Sequence, residues 1–244
     1  MPLMPEIAPA GFSLAEALAC AEASAQAYDS PATLESELAH VLIIEKPEAN
    51  YVAFKGSAGL RDFLTDARCW LEEHVHAGFL ASFNSIALPL MAALAKLPEE
   101  KPIFFTGHSK GGAEAVEAGW FFRSHFPNAK VYSFGQPRVG DAQFAAMCEQ
   151  RLAGRHFRFV NQEDAIPRSP LWLRGYRHSG QEIFLPALGR GLKFGAPLWL
   201  KLLSDAYGLY LEYRKHRLAL LADHGISHYL ERLKSVPDRP SNES

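Results

Sequence analysis

A glycine-rich turn at residues 107–112 constrains the fold more than any other feature of this sequence. It has the sequence Gly-His-Ser-Lys-Gly-Gly. Residues 102–106 before it are mostly apolar and aromatic, like a buried parallel strand, and residues 113–126 after it are rich in Ala, Glu and aromatics. A Gly-x-Ser-x-Gly between a strand and a helix predicts a nucleophile elbow, whose glycines allow a turn tight enough to expose the serine hydroxyl. Ser109 is therefore the candidate nucleophile, unless it is a serine in an ordinary tight turn.

Length and composition favour one globular α/β domain. The 244 residues suffice for one large core but not for two comfortable ones. An apolar content of 48% and a charged content of 21% exclude a disordered chain. A net charge of −2 provides no basic surface for nucleic acid. We expect a single domain over residues 1–234 and a poorly ordered tail over 235–244, which is rich in Pro and Ser.

The sequence predicts neither a disulfide framework nor a metal site, and no motif indicates a cofactor. The three cysteines, Cys20, Cys69 and Cys148, are odd in number and far apart, which is typical of free buried thiols. No pair of histidines shares a metal-ligand spacing with a third ligand.

The first residues do not resemble a secretory signal. Residues 1–11 contain no Lys or Arg, and the apolar stretch at 14–27 is interrupted by Glu16 and Glu22. This stretch predicts an amphipathic helix with Ser13 as N-cap and Glu16 completing a capping box. No window reaches the roughly 18 uninterrupted apolar residues of a membrane span. We therefore expect no transmembrane segment and, by default, a cytoplasmic location.

Apolar runs alternate with helical patterns, which predicts a mostly parallel central sheet flanked by helices. Two strands at 38–44 and 51–54 should form an antiparallel hairpin across a polar turn. The other predicted strands lie at 102–106, 130–134, 155–160 and 177–185, and the predicted helices after the first at 60–73, 79–97, 113–126, 141–152 and 224–234.

A serine nucleophile needs a base, and the base needs a carboxylate to orient it. For a serine on such an elbow the chain order is serine, acid, histidine. Asp164 follows the strand at 155–160, at the edge where functional groups of open α/β sheets gather. Asp141 is explained as a helix N-cap, Asp205 lies in a helical pattern, and Asp223 is too near the histidines. Asp164 is the candidate acid, and a turn-forming Asp is the alternative interpretation.

Two histidines near the end of the chain are candidates for the base. His224 precedes the body of the last predicted helix, where a loop can bring it to the elbow, and it is preferred. His228 lies one turn inside that helix and also fits a residue of its polar face.

Acyl transfer also needs N–H donors directed at the developing oxyanion. The N–H of Lys110, directly after the nucleophile, is one candidate. The second donor should come from the turn after an earlier strand, and Ser57, after the strand at 51–54, is the natural source. Taken alone, that turn is equally typical of a plain strand end.

Several longer segments resemble the class 3 lipase family of α/β-hydrolases. The most specific is residues 132–141, which contain Phe-Gly-Gln-Pro-Arg-Val-Gly, close to the family's Phe-Gly-x-Pro-Arg-Val-Gly run. Residues 52–57 and 61–66 resemble the family's oxyanion strand and the segment after it, and residues 75–80 resemble its His-x-Gly-Phe helix start. Residues 158–168 resemble the segment that carries the family's acid, and residues 223–229 resemble the segment that carries its base.

The resemblance implies an α/β-hydrolase fold with a catalytic triad of Ser109, Asp164 and His224. It places the oxyanion hole at the N–H groups of Ser57 and Lys110. It also implies hydrolysis of acylglycerols or similar lipid esters through an acyl-enzyme, at a lipid–water interface and without a cofactor. A short-chain or aromatic carboxylesterase, a phospholipase, and a catalytically silent protein that binds lipid or a partner remain open.

Two features depart from the family pattern. Lys110 replaces the Leu most usual after the nucleophile, and its ammonium would favour an anionic head group. Residues 188–221 are rich in Leu, Trp, Phe and Tyr, which predicts a helical cap over Ser109 or, alternatively, a helix pair packed on the sheet. A helix near residues 62–72, where the family's lid usually lies, is the rival gate.

Overall fold

The computed structural model describes the chain over residues 8–57, 70–161, 164–170, 172–186, 192–194 and 224–236. The helix predicted at 60–73 and the cap predicted at 188–221 lie mostly outside these ranges. Where parts of them are described, those parts are short strands, at Leu71–Glu72 and at Lys193–Phe194.

The described helices agree with the sequence predictions to within about four residues at each end, which is close to the ordinary uncertainty of helix boundaries. Their bounds are α1 Leu14–Asp29, α2 Ala77–Leu94, α3 Lys110–Phe122, α4 Ala142–Arg151 and α5 Ile226–Lys234. Single 3₁₀ turns occupy Ile166–Arg168 and Trp172–Arg174.

The strands of the described chain form two sheets. Their bounds are β1 Leu34–Glu35, β2 His40–Glu45, β3 Asn50–Phe54, β4 Leu71–Glu72, β5 Val75–His76, β6 Ile103–His108, β7 Lys130–Phe134, β8 Gly140–Asp141, β9 His156–Asn161, β10 Tyr176–Arg177, β11 Gln181–Leu185 and β12 Lys193–Phe194.

The central sheet has eight strands in the order β1-β2-β3-β6-β7-β9-β11-β12. The five strands from β3 to β11 pair in parallel, while β2 and β12 pair antiparallel with β3 and β11. The predicted hairpin of β2 and β3 is confirmed, with Val41 opposite Phe54. The sheet is therefore mostly parallel and flanked by helices, as predicted.

The first helix begins as predicted, but its capping box is only half formed. The Ser13 hydroxyl accepts the Glu16 N–H at 3.3 Å, which caps the helix. The Glu16 carboxylate instead accepts hydrogen bonds from the Lys130 ammonium at 2.7 Å and from the Tyr132 hydroxyl at 2.5 Å. A charged donor binds a carboxylate more strongly than a backbone amide does, so Glu16 fastens α1 to β7.

A second, smaller sheet, which the sequence did not predict, has the strand order β10-β8-β5-β4. A two-residue turn joins β4 to β5, and both of its residues are left-handed, with φ of 49° at Glu73 and 72° at His74. Such values are unfavourable for residues with a Cβ atom. Asp141 holds the turn, because its carboxylate lies 2.8 Å from His74 Nδ1 and its N–H donates to the His74 carbonyl.

Apolar side chains cover both faces of the central sheet, which explains why its parallel strands are almost continuously apolar. Helices α2, α3 and α4 pack on one face, and α1 and α5 pack on the other. The single domain over 1–234 and the disordered tail over 235–244 stay predictions.

Of the described helices, α2 alone has the length and composition of a candidate membrane span, with a mean hydropathy of 1.6. Core helices meet the same criteria. Phe79, Phe83 and Leu90 of α2 are buried in the core, which accounts for its apolar composition.

Candidate active site

The turn between β6 and α3 has the geometry of a nucleophile elbow. Ser109 lies between the two elements with φ of 63° and ψ of −128°, a strained conformation for a residue with a side chain. A Cβ atom on Gly107 would lie 2.2 Å from the Gly111 carbonyl oxygen, and one on Gly111 would lie 2.0 Å from that of Phe54. Backbone fills both spaces, so this turn requires glycine on each side of the serine, as predicted.

The sheet order brings the other predicted segments to the same edge. Strands β3, β6, β7 and β9 are consecutive neighbours and parallel, so their carboxyl ends lie side by side. The turn with Gly56 and Ser57 follows β3, and Asp164 follows β9. A Cβ atom on Gly56 would lie 3.2 Å from Ser109 Cβ, which places the predicted oxyanion turn directly against the elbow.

Asp164 and His224 form a buried pair. His224 Nδ1 lies 2.8 Å from Asp164 Oδ2, although the two residues are 60 positions apart in the chain. Asp164 is fully buried and His224 is 7% exposed. His228, the alternative base, lies within α5 and is partly exposed. Of the two candidate histidines, His224 is thus the one that contacts Asp164.

Further donors hold the Asp164 carboxylate. The Tyr229 hydroxyl donates to Oδ2 at 2.6 Å, and the Ile166 N–H donates to Oδ1 at 2.9 Å. The Tyr229 oxygen in turn accepts the Asn161 N–H at 3.2 Å. Burial and the negative charge of Asp164 raise the pKa of Tyr229 well above its ordinary value, so this hydroxyl keeps its proton and donates. These bonds fix the carboxylate in one orientation toward His224.

Two reactive atoms of the site are buried and have no hydrogen-bond partner among the described residues: Ser109 Oγ and His224 Nε2. Because His224 Nδ1 faces a carboxylate, Nδ1 carries the proton of the neutral ring and Nε2 has the free lone pair. A serine hydroxyl and an unprotonated imidazole nitrogen are the groups that exchange a proton in acyl transfer.

His108 lies beneath the elbow, where it contacts both α1 and His224. Its Nδ1 lies 2.8 Å from the Tyr28 hydroxyl, and its Nε2 bonds the carbonyl oxygen of His224. The rings of His108 and His224 have centroids 4.4 Å apart. Burial and the neighbouring His224 hold the pKa of His108 well below its ordinary value. His108 is therefore a neutral ring.

The Lys110 side chain corrects one expectation from the sequence. Its ammonium is buried and bonds the Glu114 carboxylate at 2.6 Å and the Leu38 carbonyl at 2.8 Å. Ser82 on α2 donates to the same carboxylate. The ammonium therefore joins α3 to neighbouring elements, and the preference for an anionic head group predicted from its charge has no support in this geometry.

Glu117 lies one turn further along α3 and is also buried. Both of its carboxyl oxygens are without a hydrogen-bond partner in the described part of the chain. Burial and the like charge of Glu114 raise the pKa of Glu117 well above its ordinary value. The sequence pattern of α3 did not reveal either buried carboxyl group.

The described ranges contain no group of three or more His, Cys, Asp or Glu placed to hold a metal ion. Cys20 and Cys148 are buried free thiols, as predicted, while Cys69 lies outside the described residues. His156 is buried, although Arg155 and Arg158 lie close to it in the sequence. Its side chain points inward from the buried strand β9.

Comparisons of the sequence with a family model and with individual proteins indicate the same family. The model of the family described as lipase (class 3) matches residues 51–173, which are half of the chain. Secreted mono- and diacylglycerol lipase 1 of Fusarium solani is 33% identical over 144 residues, which are 55% of this chain and 43% of that protein. Secreted mono- and diacylglycerol lipase A of Penicillium cyclopium is 28% identical over 174 residues, which are 65% of this chain and 55% of that protein. The matched part of the chain thus spans about half the length of these curated relatives.

The fold agrees with that of solved lipases. The crystal structure of the lipase from Rhizopus microsporus var. chinensis superimposes with a TM-score of 0.66, covering 80% of this chain and 84% of that one at 24% identity. This likeness confirms the predicted α/β-hydrolase fold.

One prediction is overturned by these comparisons. The cytoplasmic location expected from the first residues is wrong, because the two relatives above are named as secreted lipases. The family model covers the turn with Ser57, the elbow and the segment with Asp164 together, in the same order along the chain as the structure places them at one sheet edge. This protein therefore belongs to the class 3 lipase family.

Proposed function

We propose that this protein is a serine ester hydrolase that acts on acylglycerols. The observation that carries the proposal is the buried His224–Asp164 pair. Among the described residues it leaves His224 Nε2 without a partner, while Ser109 Oγ, on a strained elbow, has none either. Relatives named as mono- and diacylglycerol lipases support the substrate class.

In the first half of the reaction, Ser109 Oγ attacks the ester carbonyl and His224 Nε2 takes its proton. Asp164, held by its other donors, keeps His224 Nδ1 protonated and stabilises the imidazolium that forms. The imidazolium then gives its proton to the alcohol oxygen, which leaves, and the acyl group stays on the serine. Water repeats the same sequence to release the fatty acid and restore the enzyme.

The oxyanion is held by two backbone N–H groups, those of Ser57 and Lys110. Lys110 is the first residue of α3, and the first N–H groups of a helix have no intrahelical acceptor. The positive end of the helix dipole adds to the stabilisation of a negative oxygen there. Ser57 follows β3, whose carboxyl end is next to that of β6, so the two donors flank the nucleophile.

The first test is covalent labelling with a fluorophosphonate together with turnover on a panel of esters. The wild-type protein should be labelled, and Ser109→Ala should not be. Turnover on mono- and diacylglycerols above that on p-nitrophenyl acetate and on phospholipids supports the proposed substrate class. A profile dominated by short or aromatic esters would instead indicate a carboxylesterase, and one dominated by phospholipids a phospholipase.

The assignment of the base has its own test, because a second histidine lies one turn away. His224→Ala should lower kcat by about 10³-fold or more, since both proton transfers depend on it. His228→Ala is the matched control and should retain most of the turnover. The reverse result would move the base to His228. No turnover and no labelling by the folded wild-type protein would leave a silent hydrolase-fold protein.

A further inference from the structure

A chain of one close contact and two hydrogen bonds joins the turn after β3 to the segment that carries the proposed base. The Tyr28 hydroxyl packs directly against Gly56. The Tyr28 hydroxyl lies 2.8 Å from His108 Nδ1, and His108 Nε2 bonds the backbone carbonyl of His224. The participants come from four separate segments, namely α1, the turn after β3, the elbow strand β6 and the start of α5.

Chemistry fixes the direction of every bond in this chain. A backbone carbonyl only accepts, so His108 Nε2 must carry a proton. Because the depressed pKa of His108 keeps its ring neutral, Nδ1 is then an acceptor and the Tyr28 hydroxyl donates to it. Burial raises the pKa of Tyr28 to about 12, so the hydroxyl keeps the proton that it donates. Hydrogen bonds aligned in one direction polarise and strengthen one another.

The chain touches the site at both ends. A Cβ atom on Gly56 would lie 2.0 Å from the Tyr28 oxygen and 2.8 Å from the His108 carbonyl oxygen, so the hydroxyl fills the space that a side chain at position 56 would need. The next residue is Ser57, the proposed oxyanion donor. At the other end, His108 bonds the main chain of His224, the proposed base.

The support behind Tyr28 is fixed independently. Near its first turn, α1 is joined to β7 through the contacts of Glu16 with Lys130 and Tyr132. In its middle, Ser24 bonds Thr106 of β6 at 2.9 Å between buried hydroxyls. Tyr28 therefore projects from a helix that two other contacts hold against the sheet.

We propose that Tyr28 and His108 are positioning residues that fix the oxyanion turn and the base at the correct position relative to each other. Neither touches the substrate; Tyr28 acts through Gly56 and His108 acts through the main chain of His224. The inference rests on the proposed function, because the relative position of the turn and the base matters only if Ser57 and His224 take part in the reaction. Misplacing catalytic groups by fractions of an ångström lowers turnover while leaving substrate binding nearly intact.

The test uses two tyrosines whose hydroxyls both join α1 to the sheet side of the molecule. Tyr28→Phe breaks the chain. Tyr132→Phe removes the bond to Glu16 and is the matched control, because it loosens α1 without touching the site. Both variants should lower the Tm. Only Tyr28→Phe should lower kcat, by about tenfold and with an unchanged KM for a soluble ester.

Substitutions of His108 test the other end. Gln at this position keeps an N–H near the place of Nε2, whereas Leu keeps neither donor nor acceptor. We expect kcat to fall in the order wild type, His108→Gln, His108→Leu. Tyr28→Phe combined with His108→Leu should be no slower than His108→Leu alone, since both changes interrupt the same chain.

Equal kcat values for Tyr28→Phe and Tyr132→Phe would overturn the inference, because the hydroxyl would then contribute to stability alone. This comparison does not depend on whether the His108 variants fold. Failure of the proposed function is a separate result. It would appear as equal ester turnover by the wild type and Ser109→Ala, and it would overturn both the proposed function and the positioning role.

Discussion

The Tyr229 hydroxyl donates to Asp164 Oδ2 at 2.6 Å, on the same carboxylate oxygen that His224 Nδ1 contacts at 2.8 Å. One oxygen of Asp164 thus has two side-chain donors, while the Ile166 N–H donates to the other oxygen. The tyrosine comes from the helix that begins just after His224, so one short segment places both side chains that contact Asp164 Oδ2.

Tyr229→Phe should lower kcat by about three- to tenfold and the free energy of unfolding by about 1–2 kcal/mol. The acid loses one of three donors but keeps its bond to His224, and the buried Asn161 N–H loses its acceptor. Steady-state kinetics and urea unfolding measure the two effects. Tyr132→Phe is the control, since its hydroxyl also donates to a carboxylate but far from the site. A kcat for Tyr229→Phe that matches this control would show that the acid needs no such donor.

The buried Lys110–Glu114 pair should behave as a coupled unit. Lys110→Leu leaves the Glu114 carboxyl buried without its cation, and Glu114→Leu leaves the ammonium with only the Leu38 carbonyl. Each single change should destabilise the protein by about 3 kcal/mol, whereas the double change should recover most of that loss. Urea unfolding of the four proteins gives the coupling energy directly. Additive losses would contradict the pairing.

The elbow could be predicted because its determinants are local. Strand, glycine, serine, glycine and helix follow one another within about twenty residues, and the clash of a Cβ with backbone at Gly107 and Gly111 is the physical reason for the pattern. Asp164 was also accessible, because the carboxyl end of a parallel strand is a position that the element order predicts.

Contacts between distant segments could not be read from the sequence. The Lys110 ammonium bonds a carbonyl 72 positions away, and Tyr28 meets a histidine 80 positions away. The Glu16 capping box failed for the same reason, since Lys130 and Tyr132 compete for the carboxylate. No local sequence spacing indicates such partners, because only the order of the strands in the sheet brings them together.

A substitution in the turn between β4 and β5 should increase the stability of the protein. Glu73 has φ of 49° there, and Asn tolerates this left-handed conformation better than other residues with a side chain. Glu73→Asn should raise the free energy of unfolding by about 0.5–1 kcal/mol. Glu73→Val, with a β-branched side chain, should lower it. Chemical denaturation that ranks the two variants equally would show that the conformation carries no strain.

Acid should destabilise the protein partly through His156. Burial, with the neighbouring Arg158, lowers the pKa of His156 to about 3, and neither ring nitrogen has a partner among the described residues. In the unfolded chain its pKa is near its ordinary value of about 6.5, so the unfolded state binds a proton that the folded state does not. Stability is therefore complete above about pH 6.5 and falls as the pH drops toward 3, by about 2 kcal/mol at pH 5.

His156→Gln removes this titration, so the loss of stability between pH 7 and pH 5 should be smaller than in the wild type by about that amount. His125, which is exposed on the surface, gives the matched control, and His125→Gln should keep the wild-type slope. Urea unfolding at pH 7, 6 and 5 measures the three slopes. Other buried histidines, such as His76 with a pKa lowered by burial to about 4, contribute to the absolute slope of all three proteins but cancel in the difference. If the free energy of unfolding fell equally with pH in the wild type and His156→Gln, the folded protein would bind a proton at His156 as readily as the unfolded chain does.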